Sequence, residues 1–290
     1  MIEQNVFSRI EEKMPRLSHG QKKIGSFVLS QYDKAAYMTA GKIGEKVGVS
    51  ESTVVRFATA LGFSGFPALQ QALQEGVGAK LTSLQRIDLA DDRISSDHVL
   101  DYILTSDIER IRTAIEQIDH NAFDRAVDAI AGGEHIYISG MRSAALLSGF
   151  LGYYLGLMFP NVHTISATST EEMFEQMIRI TERDVFVGIS FPRYSKRIIN
   201  AMNFASSNGA ATIAITDCEQ SPIAHGADYL LMVRNDMASF VDSYVAPLSV
   251  INALLVATSR KRKADVSEVL TRLEAVWDEY DVYAGNNRKT

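Results

Sequence analysis

Two groups of polar side chains in this 290-residue chain are spaced for recognition chemistry. The first lies in Thr39–Phe63, TAGKIGEKVGVSESTVVRFATALGF. There Glu51, Ser52, Thr53 and Arg56 open a segment whose apolar residues Val54, Phe57, Ala58 and Leu61 recur at i, i+3, i+4 and i+7. A helix with this pattern buries one stripe and leaves its N-terminal polar side chains exposed, as a helix inserted in the DNA major groove must. Arg56 suits a guanine edge or a phosphate, Ser52 and Thr53 suit bases or backbone, and Glu51 can accept from a cytosine amino group. Lys42 and Lys46, one helix earlier, are spaced for phosphate contacts. The second group is a pair of Ser- and Arg-bearing turns, Ser139-Gly140-Met141-Arg142-Ser143 and Ser190-Phe191-Pro192-Arg193-Tyr194-Ser195, each after a short apolar run. Hydroxyls, free N–H groups at a helix start and a guanidinium together hold a phosphate or carboxylate.

The elements that would position the first group follow from local rules. Thr39 can cap a helix in which Ala40, Ile43 and Val47 share a stripe, and Gly44 is small enough for a second helix to cross closely. Gly48-Val49-Ser50 supplies the turn: Gly48 tolerates a left-handed backbone, Val49 plugs the corner, and Ser50 is expected to cap the next helix. An ordinary helical hairpin would share the two stripes. The small residue, the Gly turn and the Ser cap at these offsets together mark a helix-turn-helix. Ser18 is placed to cap an earlier helix through Gln31, and Pro67 suits the first turn of a later one over Ala68–Gly76.

Further on, the rhythm changes to short apolar runs alternating with helical stretches. Strands are expected at Ile136–Ser139, Val162–Ile165, Val185–Ser190, Ala211–Thr216 and Tyr229–Val233, with helices near 143–158, 171–180, 195–208 and 221–226. Strands separated by helices imply right-handed crossovers and a parallel sheet covered on both faces. The fold class is an all-α helix-turn-helix head joined to a doubly wound α/β body with a parallel five-stranded sheet. The expected division is a head at 1–78, a linker and connecting helix at 79–118, and a ligand-binding and dimerisation body at 119–285. Helices are also expected at Val99–Ile118, Asn121–Ala131, Val245–Arg260 and Ser267–Tyr283, with Gly285–Thr290 a disordered tail. Both turns of the second group then fall at carboxyl ends of strands, where such sheets bind ligands. The plainer alternative is that these serines only cap helices and the arginines are solvated.

The net charge of -6 is unevenly divided. Residues 1–79 hold nine Lys and Arg against seven Asp and Glu, leaving 20 basic and 28 acidic residues for the remainder. A mildly basic head on an acidic body fits a DNA partner, and so weak a positive balance calls for a dimer. Two recognition helices in a homodimer, or in a tetramer of dimers, would meet an operator with inverted-repeat symmetry. There is no apolar run of about 18 residues for a membrane span and no signal-peptide pattern, so a cytoplasmic protein without membrane contact is expected. Cys218 is the lone cysteine; it has no zinc partners at ligand spacing, and no metal or other cofactor is implied.

The combination resembles the RpiR family of bacterial transcription regulators, a helix-turn-helix joined to a sugar isomerase (SIS) domain. The resemblance rests on LSHGQKKIGSFVLSQYDKAAYMTAGKIGEKVGVSESTVVRFATALGFSGFPALQ in the head. In the body it rests on Ile213-Ala214-Ile215-Thr216-Asp217, Ser221-Pro222-Ile223-Ala224, Ala227-Asp228 and Pro247–Ala257. It implies a flavodoxin-type αβα body that senses a phosphorylated sugar or another anionic metabolite, and assembly at least as a dimer. Two motifs depart from the family pattern. Arg142 stands at the second Gly of G-x-G-x-S and Ala144 at its Ser; Pro192 and Arg193 replace the inner Ser and Gly of S-x-S-G-x-T/S. A sugar-phosphate isomerase of this fold is the alternative, and it would need a base near the sugar. Glu171, Glu172 and His225 are available, but no spacing singles one out, and His135 and His163 read as structural. The expectation is a regulator, not an enzyme.

Overall fold

The computed structural model describes residues 6–78, 82–91, 98–167, 169–235 and 239–283. The chain divides into two compact units, Met1–Ile103 with Met237–Asp242, and Leu104–Asp236 with Ser243–Thr290.

The first unit is helical: α1 (Val6–Lys13), a 3-10 turn at Met14–Arg16, α2 (His19–Ser30), α3 (Tyr32–Ala35), α4 (Ala40–Val47), α5 (Glu51–Leu61), α6 (Phe66–Gly78) and α7 (Ser83–Asp91). Its core gathers Ile10, Ile24, Val28, Ile43, Val54, Phe57, Leu61, Leu69 and Leu73. Ser18 caps α2 by a reciprocal capping box, its hydroxyl accepting from the Gln21 N–H while the Gln21 side chain accepts from the Ser18 N–H. Thr39 caps α4 through the Lys42 N–H at 3.3 Å. Gly48 ends α4 with φ of 71°, and the Val49 N–H returns to the Gly44 carbonyl at 2.8 Å. At α5 the end is similar: Gly62 has φ of 91°, the Phe63 N–H reaches Ala58 O, and the Lys13 ammonium donates to Ala60 O. Helix α1 was not expected, and α7 falls within the stretch expected as a linker ahead of the connecting helix; Arg86 of α7 is buried and paired with Asp242 of the same unit at 2.8 Å.

The chain continues as α8 (Val99–Gln117), α9 (His120–Gly132), β1 (Ile136–Gly140), α10 (Ala144–Gly156), β2 (Val162–Ile165), α11 (Thr170–Met177), β3 (Val185–Ile189), α12 (Lys196–Ser207), β4 (Ala211–Thr216), a 3-10 turn at Ala224–Gly226, β5 (Tyr229–Met232), α13 (Val245–Lys261) and α14 (Lys263–Glu279). The five strands are all parallel in the order β2-β1-β3-β4-β5. One sheet face packs Ile136, Ile138, Val187, Ile213 and Ile215 against α9, α10 and α13. The other packs Tyr137, Phe186 and Ala214 with side chains of α11 and α12. This double coverage is why the strands read as continuous apolar runs. The helix expected over 221–226 is reduced to the three-residue 3-10 turn, and the 285–290 tail lies outside the described residues. Among the described residues no helix is long and apolar enough to cross a membrane.

Gly44 fixes the crossing of α4 by the following turn. A Cβ there would lie 2.7 Å from Val49 O and 3.3 Å from Glu51 N, both backbone atoms. Gly44→Ala should therefore destabilise the head by about 1–3 kcal/mol through overpacking. Gly41→Ala, whose Cβ would meet only the Glu51 carboxylate at 3.5 Å, should stabilise it by up to about 1 kcal/mol. Urea unfolding followed by circular dichroism checks the pair; equal effects would remove the turn contact as the constraint.

Candidate functional site

In the head, Glu51, Ser52 and Arg56 are exposed at the start of α5, and Thr53 is half-buried. Lys42 and Lys46 are exposed on α4. Ser50 occupies the N-cap position with an extended backbone but makes no side-chain cap hydrogen bond. Its hydroxyl pairs instead with those of Ser52 at 3.0 Å and Thr53 at 2.9 Å, which corrects the expected cap. The Arg56 Nε donates to Ser52 O at 3.3 Å, and the Gln21 amide donates to Arg56 O at 3.3 Å. The starts of α2 and α5 thereby border one open concavity of about 570 Å³, lined by Ser18, Gly20, Gln21, Val49, Ser50, Thr53 and Arg56. Two helix N-termini and a guanidinium facing one hollow favour an anionic occupant. Ser18 was legible as a helix cap, but its reciprocal partner Gln21 and their place beside Arg56 were not.

In the body, the strand order reverses direction between β1 and β3, whose chain continuations go to opposite sides. That switch point is where open parallel sheets leave a crevice. Gly140 pairs with Ile189 in the sheet register, so the loops bearing Arg142 and Arg193 leave adjacent strands side by side. Gly140 is required by packing, since a Cβ would lie 2.5 Å from Ala144 O at the start of α10. Both arginines are exposed and both have left-handed backbones, φ of 59° at Arg142 and 68° at Arg193. They are two of the three non-glycine residues with positive φ among the described residues, and they stand where the family pattern has glycine.

Three of the serines make side-chain hydrogen bonds. Ser139 is fully buried and donates to Ile165 O of β2 at 3.4 Å. Ser143 shares a hydrogen bond with the Tyr244 hydroxyl at 2.9 Å, and the Tyr244 ring packs on Phe191 at 5.5 Å. Ser190 is buried and accepts from the Ser195 N–H at 3.2 Å, bracing the second loop; Ser195 is the N-cap of α12. The Tyr194 hydroxyl donates to the Asp217 carboxylate at 2.9 Å, and burial followed by the Asp217 charge raises its pKa far above the ordinary phenol value. Tyr194 therefore stays a donor and ties this loop to the end of β4. Tyr244 and the Tyr194–Asp217 pair were missed in the sequence; no spacing joins residues so far apart.

The groups an isomerase would need are divided between the two ends of the sheet, with Glu171 and Glu172 opening α11 after the carboxyl end of β2 on the crevice side. The Glu171 carboxyl is held below its ordinary value by its own backbone N–H and the Ser169 hydroxyl, the behaviour of a helix-capping acid. His225 neighbours Gly226, whose carbonyl accepts from Thr212 near the start of β4, at the sheet end opposite the crevice. His135 and His163 are also at the amino ends of strands, with Nδ1 and Nε2 3.0 Å apart and their rings stacked. Among the described residues no three metal-ligating side chains come together.

A helix-turn-helix head followed by a doubly wound body with a five-stranded parallel sheet defines the class of protein. Residues 4–80 match the family model of the rpiR-family helix-turn-helix domain, and residues 129–257 match that of the SIS domain. The chain belongs to the RpiR family of helix-turn-helix transcriptional regulators. It is 24% identical over 279 residues to an HTH-type transcriptional regulator of Caldanaerobacter subterraneus subsp. tengcongensis, covering 94% of this chain and 96% of that one. It is 22% identical to the HTH-type transcriptional regulator HexR of Pseudomonas aeruginosa, covering 93% and 94% of the two chains. The sugar isomerase domain of an RpiR transcription factor from Sphaerobacter thermophilus superposes with a TM-score of 0.57 at 25% identity, covering 61% of this chain and 99% of that domain. NanR of Vibrio vulnificus, solved with ManNAc-6P, has the same fold, with a TM-score of 0.57 at 18% identity over 97% and 100% of the two chains.

Two predictions follow from the body's geometry. Arg142→Gly and Arg193→Gly should each raise the stability of the ligand-free body by about 0.5–1 kcal/mol. The left-handed cost of about 1–2 kcal/mol disappears, while the greater unfolded-state entropy of glycine offsets part of it. Urea unfolding followed through Trp277, the single tryptophan, reads the change; a loss of stability in both would show that the guanidiniums hold the loops. The second concerns pH. Partial burial, then the charge of His135, lowers the His163 pKa, so the fold favours the neutral ring. Its contribution is present above the unfolded value of about 6.5 and is lost as pH falls through the depressed folded value. Between pH 7.5 and 5 the wild type should lose more stability than His163→Gln; parallel losses would clear the histidine pair.

Proposed function

We propose that this protein is a cytoplasmic, ligand-responsive transcription regulator that does no catalysis. Its head, 1–78, reads operator DNA, and residues 79–118 join it to a body, 119–285, that binds effector and dimerises. A homodimer, alone or paired into a tetramer, presents two α5 helices to an inverted repeat. Arg56, Ser52, Thr53 and Glu51 face bases or backbone, with Lys42, Lys46 and Ser50 beside the phosphates. The effector is a phosphorylated sugar or a related anionic catabolite, held by the loops that carry Ser139, Gly140, Arg142, Ser143, Ser190, Arg193 and Ser195. The relation to NanR, whose structure contains a sugar phosphate, supports that ligand class.

The observation that carries this reading is the pair of left-handed arginines in adjacent loops at the switch point. A sugar phosphate brings one strongly anionic group, and two guanidiniums beside two helix N-termini answer it. Departure from the family's Gly and Ser pattern shifts recognition from hydroxyls to cations. Effector binding changes DNA affinity only through unequal affinity for two arrangements of the dimer.

A thermal-shift screen of phosphorylated sugars, sugar acids and inositol-type metabolites tests the ligand class. At a hundredfold excess over its dissociation constant a true effector stabilises by about 2.7 kcal/mol. The gain should vanish in Ser190→Ala/Ser195→Ala, and the same compound should alter operator affinity in fluorescence anisotropy. Arg56→Ala should weaken the specific operator complex by about 1–3 kcal/mol if it reads a base. Turnover of a sugar phosphate in the absence of DNA would favour the isomerase instead, and a hit without any change in operator affinity would sink the ligand-gated reading.

A further inference from the structure

Helix α14 has the sequence of a helix that buries one face, yet none of its residues is buried. Val266, Val269, Leu273, Val276 and Tyr280 follow one another at spacings of three, four, three and four residues, and Leu270 and Trp277 widen the same stripe. Val269 is 39% exposed, Val276 42% and Tyr280 72%. Val266, Leu273 and Trp277 are only half-buried, and a helix of 17 residues whose apolar face is so partly packed is marginal in water, so this one requires a cover.

We infer that the cover is α14 of a second copy of this chain, packed antiparallel across a two-fold axis. With the axis passing between Glu274 and Ala275, Leu273 lies level with Val276 of the second copy, and Val269 with Tyr280. Every apolar layer is then filled by the opposite layer of the same stripe, as an isologous contact demands. The charges select the direction. Arg272 and Glu279, both exposed, border one edge of the stripe seven residues apart, whereas the other edge is Leu270 and Trp277. Antiparallel pairing sets Arg272 about 3 Å along the axis from the level of Glu279 in the second copy, and the two-fold repeats that ion pair. It also brings the Leu270 edge of one copy to the Trp277 edge of the other. Parallel pairing would lay Arg272 and Glu279 against the apolar edge of the partner and lose both ion pairs. This surface deepens the homodimer reading by naming the contact that makes it.

Sedimentation velocity and light scattering on the full chain test the assignment. The wild type should carry the mass of at least two chains, and Leu273→Asp/Val276→Asp should halve it. Arg272→Glu and Glu279→Arg change only exposed side chains, so folding is preserved. Each should weaken self-association about tenfold or more, and the two together should restore it. An unchanged mass in Leu273→Asp/Val276→Asp, or a double charge reversal no tighter than either single one, overturns the α14 pairing while leaving a dimer possible through another face. A wild type that is monomeric at all concentrations overturns the dimer reading as well.

Discussion

The parallel order β2-β1-β3-β4-β5 is the constraint on which the body depends. Once β1 and β3 lie side by side and their continuations diverge, no helix can cover the gap above their carboxyl ends. Two loops are forced to meet there, and each must turn abruptly into a helix. The first has only Met141, Arg142 and Ser143 between β1 and α10, and Gly140 must be bare because Ala144 O approaches so closely. The second spans Ser190–Ser195 and is braced by the Ser190 hydroxyl and by Tyr194 on Asp217. Fold and crevice are consequences of one topology.

The head is organised by a different economy of space. The α4–turn–α5 corner closes because Gly48 accepts a left-handed backbone and Gly44 admits the Val49 carbonyl. The core behind it, Ile43, Val54, Phe57 and Leu61, needs only ordinary helical periodicity. What remains outward is the polar start of α5, whose hydroxyls are tied to one another in the free protein. Hydroxyl pairs of this kind can be exchanged for bonds to a nucleic acid, because each Ser or Thr rotor both donates and accepts.

Much of this was legible in the sequence, and the gaps have physical causes. The five strands fall within a residue or so of the expected bounds because burial on both faces makes them unbroken apolar runs between turns. The helix-turn-helix was legible because close approach, turn and periodicity are all local. Helix α1 was hidden because its two buried residues, Val6 and Ile10, are too few to show a period among charged neighbours. The missed Ser50 geometry depends on a choice among three adjacent hydroxyls that no spacing decides. Tyr244 lies 101 positions from Ser143 and Tyr194 lies 23 from Asp217, so only the fold could join them. The chemistry of the site was legible in residue types; its wiring was not.

The two arginines show why residue type and backbone must be weighed together. A loop that has to pass through the left-handed region accepts glycine at no steric cost, and glycine is what the family pattern places there. Arginine at the same φ costs about 1–2 kcal/mol. Such strain persists where the surroundings over-determine the backbone, and it concentrates at binding sites. Here it occurs twice, in both loops of one crevice, with the same side chain in each case. Each position therefore combines a backbone that favours glycine with a side chain that glycine lacks. Each loop keeps the turn that glycine would have made and adds a planar, permanently charged donor array at the crevice. A ligand that met both would need negative charge more than it would need hydroxyl partners.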